Sequence, residues 1–202
     1  MSKAFGERLR KCSVESFTAQ RAEQIPATIR AAMVPLLETI DQLNEQIGYY
    51  DQMIHHVART RYPKYWLLDQ VGGVGVHTAL AFMLTIGNPE RFAKSRAVGC
   101  FLGMRPRKKD SGERKPQLGI TKAGDGYLRK TLVNCAHYIL GPHGPDSDLR
   151  RFGLRVCERG ARNAKKRAIV AVARKLAVLL HHLWVTGEVY EPLRNSRKAT
   201  AA

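Results

Sequence analysis

The clearest hydrophobic pattern of the chain lies in residues 33–57. Apolar residues recur there in alternating steps of four and three, at Leu36, Ile40, Leu43, Ile47, Tyr50, Ile54 and Val57. A period of 3.5 residues is that of a coiled-coil seam, so the pattern predicts one long helix. We expect the seam to bury against another helix, either a hairpin partner in the same domain or the same helix of a second chain.

Shorter helical patterns follow, and local signals separate them. Pro63 ends the long helix, because proline disfavours helical geometry in the residue before it. Next come two helices joined by the tight turn Gly72-Gly73-Val74-Gly75, and Gly87-Asn88-Pro89 ends the second of them. Three more helices are predicted: from Glu90 to Cys100, after Gly124 with Thr121 as candidate N-cap, and over about 161–186.

No segment alternates apolar and polar residues as a half-buried strand does, so the predicted fold is all-α. The predicted organisation is an N-terminal segment with the coiled-coil helix (1–64), a compact helical domain (65–190) and a disordered tail (191–202). Trp66 and Trp184 are expected to anchor the core. Tyr127 is expected to pack within its helix rather than to act as the nucleophile of a tyrosine recombinase.

The formal net charge of +17 is concentrated in two blocks. Residues 91–130 contain twelve Lys/Arg and three acidic residues, and residues 150–175 contain ten Lys/Arg and one acidic residue, so each block has a net charge of +9. The rest of the chain is close to neutral. Such clustering indicates a binding surface for a polyanion, and nucleic acid is the first partner to expect.

Other global features narrow the class of protein. No run of 18 apolar residues is present, so no membrane-spanning segment is predicted, and the N-terminus lacks the pattern of a signal peptide. The four cysteines, at positions 12, 100, 135 and 157, form no CxxC pair. They are expected to be reduced thiols of a cytoplasmic protein, and no metal site is predicted.

Two short motifs are candidates for chemistry. The Gly73-Val74-Gly75 turn resembles the hairpin of a helix-hairpin-helix, whose backbone N–H groups bind a phosphate beside a helix N-terminus; a simple packing turn is the alternative. The long polar loop 105–119 contains Ser111, surrounded by cations at Arg105, Arg107, Lys108, Lys109, Arg114 and Lys115. Cations attract a phosphodiester and stabilise charge that develops on it, yet a lone loop serine is usually inert without an activating base.

Five motifs in order, between about Leu67 and Ala136, resemble the C-terminal transposase domain of the insertion-sequence 110 family, the bridge-RNA-guided recombinases. They are Val71–Gly75 with Thr78-Ala79, Ile86–Phe92, Phe101–Arg107, Asp110-Ser111-Gly112, and Gly119–Gly124 followed by Leu128-Arg129-Lys130 and Leu132. The heptad helix before them resembles the coiled-coil segment of that family.

The resemblance implies specific roles. Ser111 falls on the serine nucleophile of the family, which forms a transient phosphoserine bond to DNA. Lys122 and Arg129 match basic positions of the motif. The candidate nucleic-acid contacts are these two residues together with Gly73, Gly75 and the loop cations. The implied partners are DNA, a structured guide RNA, and a second copy or an intact transposase bound through residues 33–57. The implied location is the bacterial cytoplasm, at the nucleoid.

The sequence departs from the family at its N-terminal side. Family members begin with a RuvC-like domain whose three Asp and one Glu bind divalent metal, and nothing in residues 1–65 matches it. We therefore expect no cofactor on this chain, Mg²⁺ only together with that domain, and an incomplete recombinase when the chain acts alone. The alternative hypothesis is a non-catalytic helix-hairpin-helix module that binds DNA or RNA.

Overall fold

A computed structural model describes residue 25, residues 27–108, residue 111, residues 118–160 and residues 163–195. In these ranges the chain forms α-helices and no β-strand, which confirms the predicted all-α fold. The helices are α1 (Ala27–Arg61), α2 (Trp66–Asp69), α3 (Val76–Ile86), α4 (Arg96–Phe101), α5 (Gly126–Leu140), α6 (Asp148–Glu158) and α7 (Ala164–Thr186). The structure comprises two compact units, residues 1–57 and 58–202. The domain boundaries predicted from the sequence stay predictions.

Helix α1 is the long helix that the heptad pattern predicts. It has 35 residues and ends at Arg61, two residues before Pro63. Side chains of the predicted seam are more than half exposed: Leu36 by 55%, Leu43 by 52%, Ile47 by 58% and Tyr50 by 62%. The structure therefore contains the helix, while burial of its seam against a partner stays a prediction.

The second unit is built around α7. Four side chains one turn apart on this helix, Ala168, Val172, Leu176 and Leu180, are fully buried, and α7 contacts α2, α4, α5 and α6. Among the described helices, α7 is long and apolar enough to cross a membrane, but half of that stretch is buried within the protein. We interpret α7 as the core helix of this domain.

A buried histidine connects α7 to the segment before α4. His181 is 1% exposed; its Nε2 lies 2.9 Å from the carbonyl oxygen of Pro89 and its Nδ1 lies 2.9 Å from Ser95 Oγ. Because a carbonyl can only accept, Nε2 carries the proton of that bond. Both polar groups of the ring are therefore satisfied inside the core.

The helix predicted from Glu90 to Cys100 is shorter than expected. Only α4 is α-helical, and a single 3-10 turn, Pro89–Arg91, precedes it. Between the two, Phe92 has extended geometry, and its ring makes edge contacts with Phe101 and His181 at centroid distances of 5.3 and 5.7 Å. Aromatic packing of Phe92 thus takes precedence over a continuous helix.

Helix α5 begins after Gly124, as predicted, but its N-cap is Asp125 rather than Thr121. The Asp125 carboxylate accepts a hydrogen bond of 2.6 Å from the Leu128 amide. Side-chain oxygens at an N-cap satisfy amides that lack a partner within the helix. Thr121 instead donates through Oγ1 to the Gly103 carbonyl at 3.1 Å, which ties it to another segment.

Two aromatic residues expected to pack are on the surface. Trp66 is 51% exposed and Tyr127 is 65% exposed, whereas Trp184 is buried as predicted. In each case the residue that follows on the helix, Leu67 or Leu128, faces the core. Position on the helix, not residue type, determined which side chain was buried.

Helix α6 was not predicted, although Leu149, Phe152 and Val156 recur at helical spacing. Ser147 caps it and accepts a 3.2 Å bond from the Arg150 amide. The Asp148 amide donates to the Pro192 carbonyl at 2.7 Å, and the Asn195 amide donates to the Asp148 carboxylate at 2.8 Å. The tail that we expected to be disordered from residue 191 is therefore held against α6 through Asn195, and residues 196–202 lie outside the described residues.

Candidate nucleic-acid interface

Antiparallel hydrogen bonds join the two described ends of the polar loop predicted at 105–119. Lys122 N donates to Gly103 O at 2.9 Å, Thr121 N to Arg105 O at 3.0 Å, and Arg107 N to Gly119 O at 2.9 Å. Pro106 and Ile120 form an isolated antiparallel bridge between these bonds. We call residues 103–122 the serine hairpin, because Ser111 lies between its two sides.

Two glycines allow the ends of the serine hairpin to cross. A Cβ on Gly103, whose φ is +66°, would lie 2.4 Å from the Ala123 nitrogen, and a Cβ on Gly124 would lie 2.2 Å from the Phe101 carbonyl oxygen. Both clashes are with backbone, which cannot turn aside as a flexible side chain can. The base of the hairpin is therefore a backbone-to-backbone contact that only glycine permits.

The hairpin presents the predicted serine and several predicted cations to solvent. Ser111, Arg105, Arg107 and Lys108 are exposed. Lys122 is exposed as well, and its left-handed φ of 59° is unusual for a residue with a side chain. The remaining predicted loop cations, Lys109, Arg114 and Lys115, lie outside the described residues.

The other predicted phosphate site, the turn Gly73-Val74-Gly75, packs on α5. A Cβ on Gly73, whose φ is +88°, would lie 2.6 Å from Tyr138 Cδ1, and Val74 is 5% exposed. Gly75 is exposed and begins α3, and a Cβ there would meet nothing within 4 Å. Packing explains Gly73, while a phosphate at the open N-terminus of α3 stays a prediction.

Arg129 does not extend freely into solvent. It lies in the first turns of α5 and is partly buried. Its Nη1 donates to the carbonyl oxygens of Leu102, Gly124 and Asp125, at 3.2, 3.0 and 3.3 Å. The guanidinium therefore contacts the base of the serine hairpin.

A groove of about 1200 Å³ lies beside the hairpin base. Met104, Pro106 and Ile120 of the hairpin line one part of it, and apolar residues of α7 such as Val178 and Leu179 line another. Cations from both basic blocks also line it: Arg96 and Lys122 from the first, and Lys166, Arg167, Arg174 and Lys175 from the second. The sequence locates the two blocks, but it does not indicate that they meet here.

Some of these cations are held in place by neighbouring groups. Arg174 packs over Gly99, where a Cβ would lie 2.8 Å from its Cγ, and its Nη2 lies 3.8 Å from Cys100 Sγ. Lys175 Nζ lies 4.1 Å from the centre of the Phe152 ring, in cation–π contact. Arg174 thus connects helix α4 of the first block to helix α7 of the second.

Asp148 and Glu191 line the groove, and two further carboxylates nearby are paired with arginines. Arg194 hydrogen-bonds Glu188 and holds the pKa of that carboxyl below its usual value, with a smaller contribution from His182. Arg151 likewise lowers the pKa of Asp146, at a distance of 2.6 Å. Both carboxylates are therefore charged at neutral pH, and each is compensated by its own arginine rather than by the cations along α7.

Thiols and metal ligands add little to this surface. Cys100, Cys135 and Cys157 are free thiols, and burial raises the pKa of Cys135 although Thr78 partly offsets the effect. Within the described ranges, no three His, Cys, Asp or Glu side chains are grouped closely enough to hold a metal ion.

Fold and site together define a class: an all-helical domain that presents an exposed serine on a basic hairpin beside a cation-lined groove. Residues 65–152, which contain the hairpin, match the family described as Transposase IS116/IS110/IS902 family. Residues 65–152 of this chain therefore belong to that transposase family.

Individual relatives agree with this assignment. The chain is 32% identical over 148 residues to the transposase for insertion sequence element IS1111A of Coxiella burnetii. The aligned region is 73% of this chain and 40% of that relative. It is 29% identical over 113 residues to the transposase for element IS1328 of Yersinia enterocolitica, 52% of this chain and 33% of the relative. A probable family 20 transposase of Pseudomonas aeruginosa is 26% identical over 180 residues, 89% of this chain and 52% of the relative. The chain thus spans a third to a half of these relatives.

Proposed function

We propose that this chain is the nucleic-acid-binding part of a DNA transposase and that Ser111 is its nucleophile. One observation carries the proposal: two basic blocks far apart in sequence line a single groove, and the hairpin that presents Ser111 forms one of its walls. Membership of residues 65–152 in a transposase family supports the same function.

Binding would rest on the cations of the groove and the hairpin. Lys and Arg side chains neutralise phosphates and release condensed counterions, which gives affinity without sequence preference. The partners in this proposal are DNA and a structured guide RNA, and both present the phosphates that such a surface binds. The exposed cations Arg105, Arg107 and Lys122 would then hold a strand close to Ser111.

The proposed chemistry is a transesterification. Ser111 Oγ attacks the phosphorus of a DNA phosphodiester, an Oγ–P bond forms, and the P–O bond to one deoxyribose breaks. The hydroxyl proton passes, directly or through water, to the departing sugar oxygen. Neighbouring cations favour the reaction because negative charge increases on the phosphoryl oxygens in the transition state.

Completion of the active site would require a second component. In the proposal, Mg²⁺ enters with an acidic RuvC-like domain, and an intact transposase that pairs through the exposed seam of α1 supplies that domain. The seam supports this part, since four of its apolar side chains are more than half exposed. Without that component we expect binding but not recombination.

A covalent trap tests the nucleophile. The chain is mixed with a full-length relative whose aligned serine is replaced, together with Mg²⁺, guide RNA and DNA containing bridging phosphorothiolate linkages, whose thiolate leaving group disfavours religation. We expect a protein–DNA adduct, mapped by mass spectrometry to the peptide that contains Ser111.

The matched variant is Ser111→Ala. It removes only one exposed oxygen, so duplex affinity should change less than twofold while the adduct disappears. If Ser111→Ala yields as much adduct as the unaltered chain, the nucleophile is another residue and the catalytic part of the proposal is wrong.

A further inference from the structure

The charged group of Arg129 turns towards the protein backbone. Three carbonyl oxygens lie within 3.3 Å of its Nη1. A guanidinium nitrogen such as Nη1 has two hydrogens and accepts nothing, so it can serve a cluster of carbonyls when one hydrogen is shared. Lys130, the next residue on α5, is exposed.

The carbonyls belong to the two ends of the serine hairpin. Leu102 directly precedes the hairpin, and Gly124 and Asp125 follow it. At the same place the backbones cross in contact, since a Cβ on Gly124 would lie 2.5 Å from Leu102 Cα. Arg129 therefore bonds to both chain segments where they meet.

This position determines how the hairpin is held. The bonds between its two sides begin at Lys122 N→Gly103 O, one residue after Leu102 and two residues before Gly124, and the last described bond is Arg107 N→Gly119 O. Ser111 falls between residues 107 and 119 in the sequence, so both chain segments that lead to it pass the Arg129 contacts first.

We propose that Arg129 is a positioning residue: it fixes the direction of the serine hairpin and does not bind nucleic acid. The hydrogen bonds of Arg129 to both ends of the hairpin are enough to support its effect on the direction of the hairpin. Its consequence for reactivity rests on the proposed function, in which Ser111 is the nucleophile.

Amide hydrogen exchange, measured by NMR, tests the geometry without any substrate. Arg129→Gln removes the forked cation, and Lys130→Gln removes the same charge one residue away. We expect the amides of Arg107, Thr121 and Lys122 to exchange at least tenfold faster in Arg129→Gln and to be unchanged in Lys130→Gln. Amides in the middle of α7 should stay within twofold in both variants, whereas a general loss of stability would accelerate them as well.

A conservative replacement provides the rescue. Arg129→Lys retains an ammonium with three donors on a slightly shorter side chain, so it should restore part of the protection of the hairpin amides. It also provides a folded sample if Arg129→Gln does not fold. Equal protection of the hairpin in all variants would overturn the inference.

Two binding and reactivity measurements separate this role from a phosphate contact. For Arg129→Gln we expect the salt dependence of duplex binding to be unchanged, whereas loss of one phosphate contact would reduce the slope of log K against log salt by about one. The Ser111 adduct should fall at least tenfold. If the unaltered chain forms no adduct, the proposed function fails, but the hydrogen-exchange result still decides the role of Arg129. A reduced salt slope together with normal hydrogen exchange of the hairpin amides in Arg129→Gln would refute that role.

Discussion

At the scale of single residues, the glycines and one arginine explain the serine hairpin better than its cations do. Gly103 and Gly124 permit two backbones to touch, and Arg129 bonds to carbonyls on both. Each residue is needed for a physical reason that a count of charges does not show. Such residues hold the hairpin, and the exposed cations are then free to bind a partner.

Gly124→Ala tests the crossing. The added Cβ would lie 2.2 Å from the Phe101 carbonyl oxygen, so the backbones must separate, and we expect a loss of about 2–3 kcal/mol in the free energy of unfolding. Gly119→Ala is the control on the same hairpin, because a Cβ there meets nothing within 4 Å. Urea denaturation should show no loss for the control, and equal effects of the two variants would contradict the crossing.

At the scale of elements, α1 and α7 use apolar residues in opposite ways. Most apolar residues of α7 are buried or partly buried in the core of the second unit, whereas four of the seven seam residues of α1 are more than half exposed. The heptad stretch of α1 also contains no Lys or Arg, and its four acidic residues are Glu38, Asp41, Glu45 and Asp51. An exposed apolar stripe of this length indicates a contact with another molecule.

Self-association through the stripe is the expected result. The double variant Leu43→Lys, Ile47→Lys places two charges on the stripe and should weaken association at least tenfold in analytical ultracentrifugation. Gln42→Lys with Gln46→Lys adds the same charges at exposed neighbouring positions and should leave it unchanged. A chain that stays monomeric at high concentration would refute this role of α1.

At the scale of the whole molecule, charge dominates. A net charge of +17 opposes compaction through self-repulsion, and the cations of the groove increase that cost locally. Asp148 and Glu191 line the groove as well, but cations outnumber them there, and the nearby Glu188 and Asp146 are paired with their own arginines. A polyanion in the groove would relieve the repulsion, which links folding stability to binding.

The salt dependence of duplex binding measures this effect. If the groove neutralises four to six phosphates, log K should fall with log salt at a slope of about −4 to −5. Lys122→Gln with Lys166→Gln removes one groove cation from each block and should reduce the slope by about two. Lys130→Gln with Arg155→Gln, at exposed positions in the same blocks, should change it less, and a slope near zero in the unaltered chain would exclude nucleic-acid binding here.

The sequence alone was enough for features that depend on neighbours along the chain. Pro63 predicted the end of α1, the period of 3.5 predicted the helix itself, and breaker residues separated the later helices. Proline geometry, glycine conformations and helical periodicity act over a few residues, so a single sequence contains them. The motifs around Ser111 also indicated the family that the comparisons later identified.

Only the tertiary structure decided which distant residues meet. Periodicity shows that a helix has an apolar face, but it does not show what that face contacts. Packing was therefore expected for Trp66 and Tyr127, which are exposed. The crossing of Gly103 and Gly124, the inward turn of Arg129 and the joining of the two basic blocks in one groove all bring together residues that are far apart in sequence. Contacts of that kind depend on how the helices pack around α7, which local pattern does not determine.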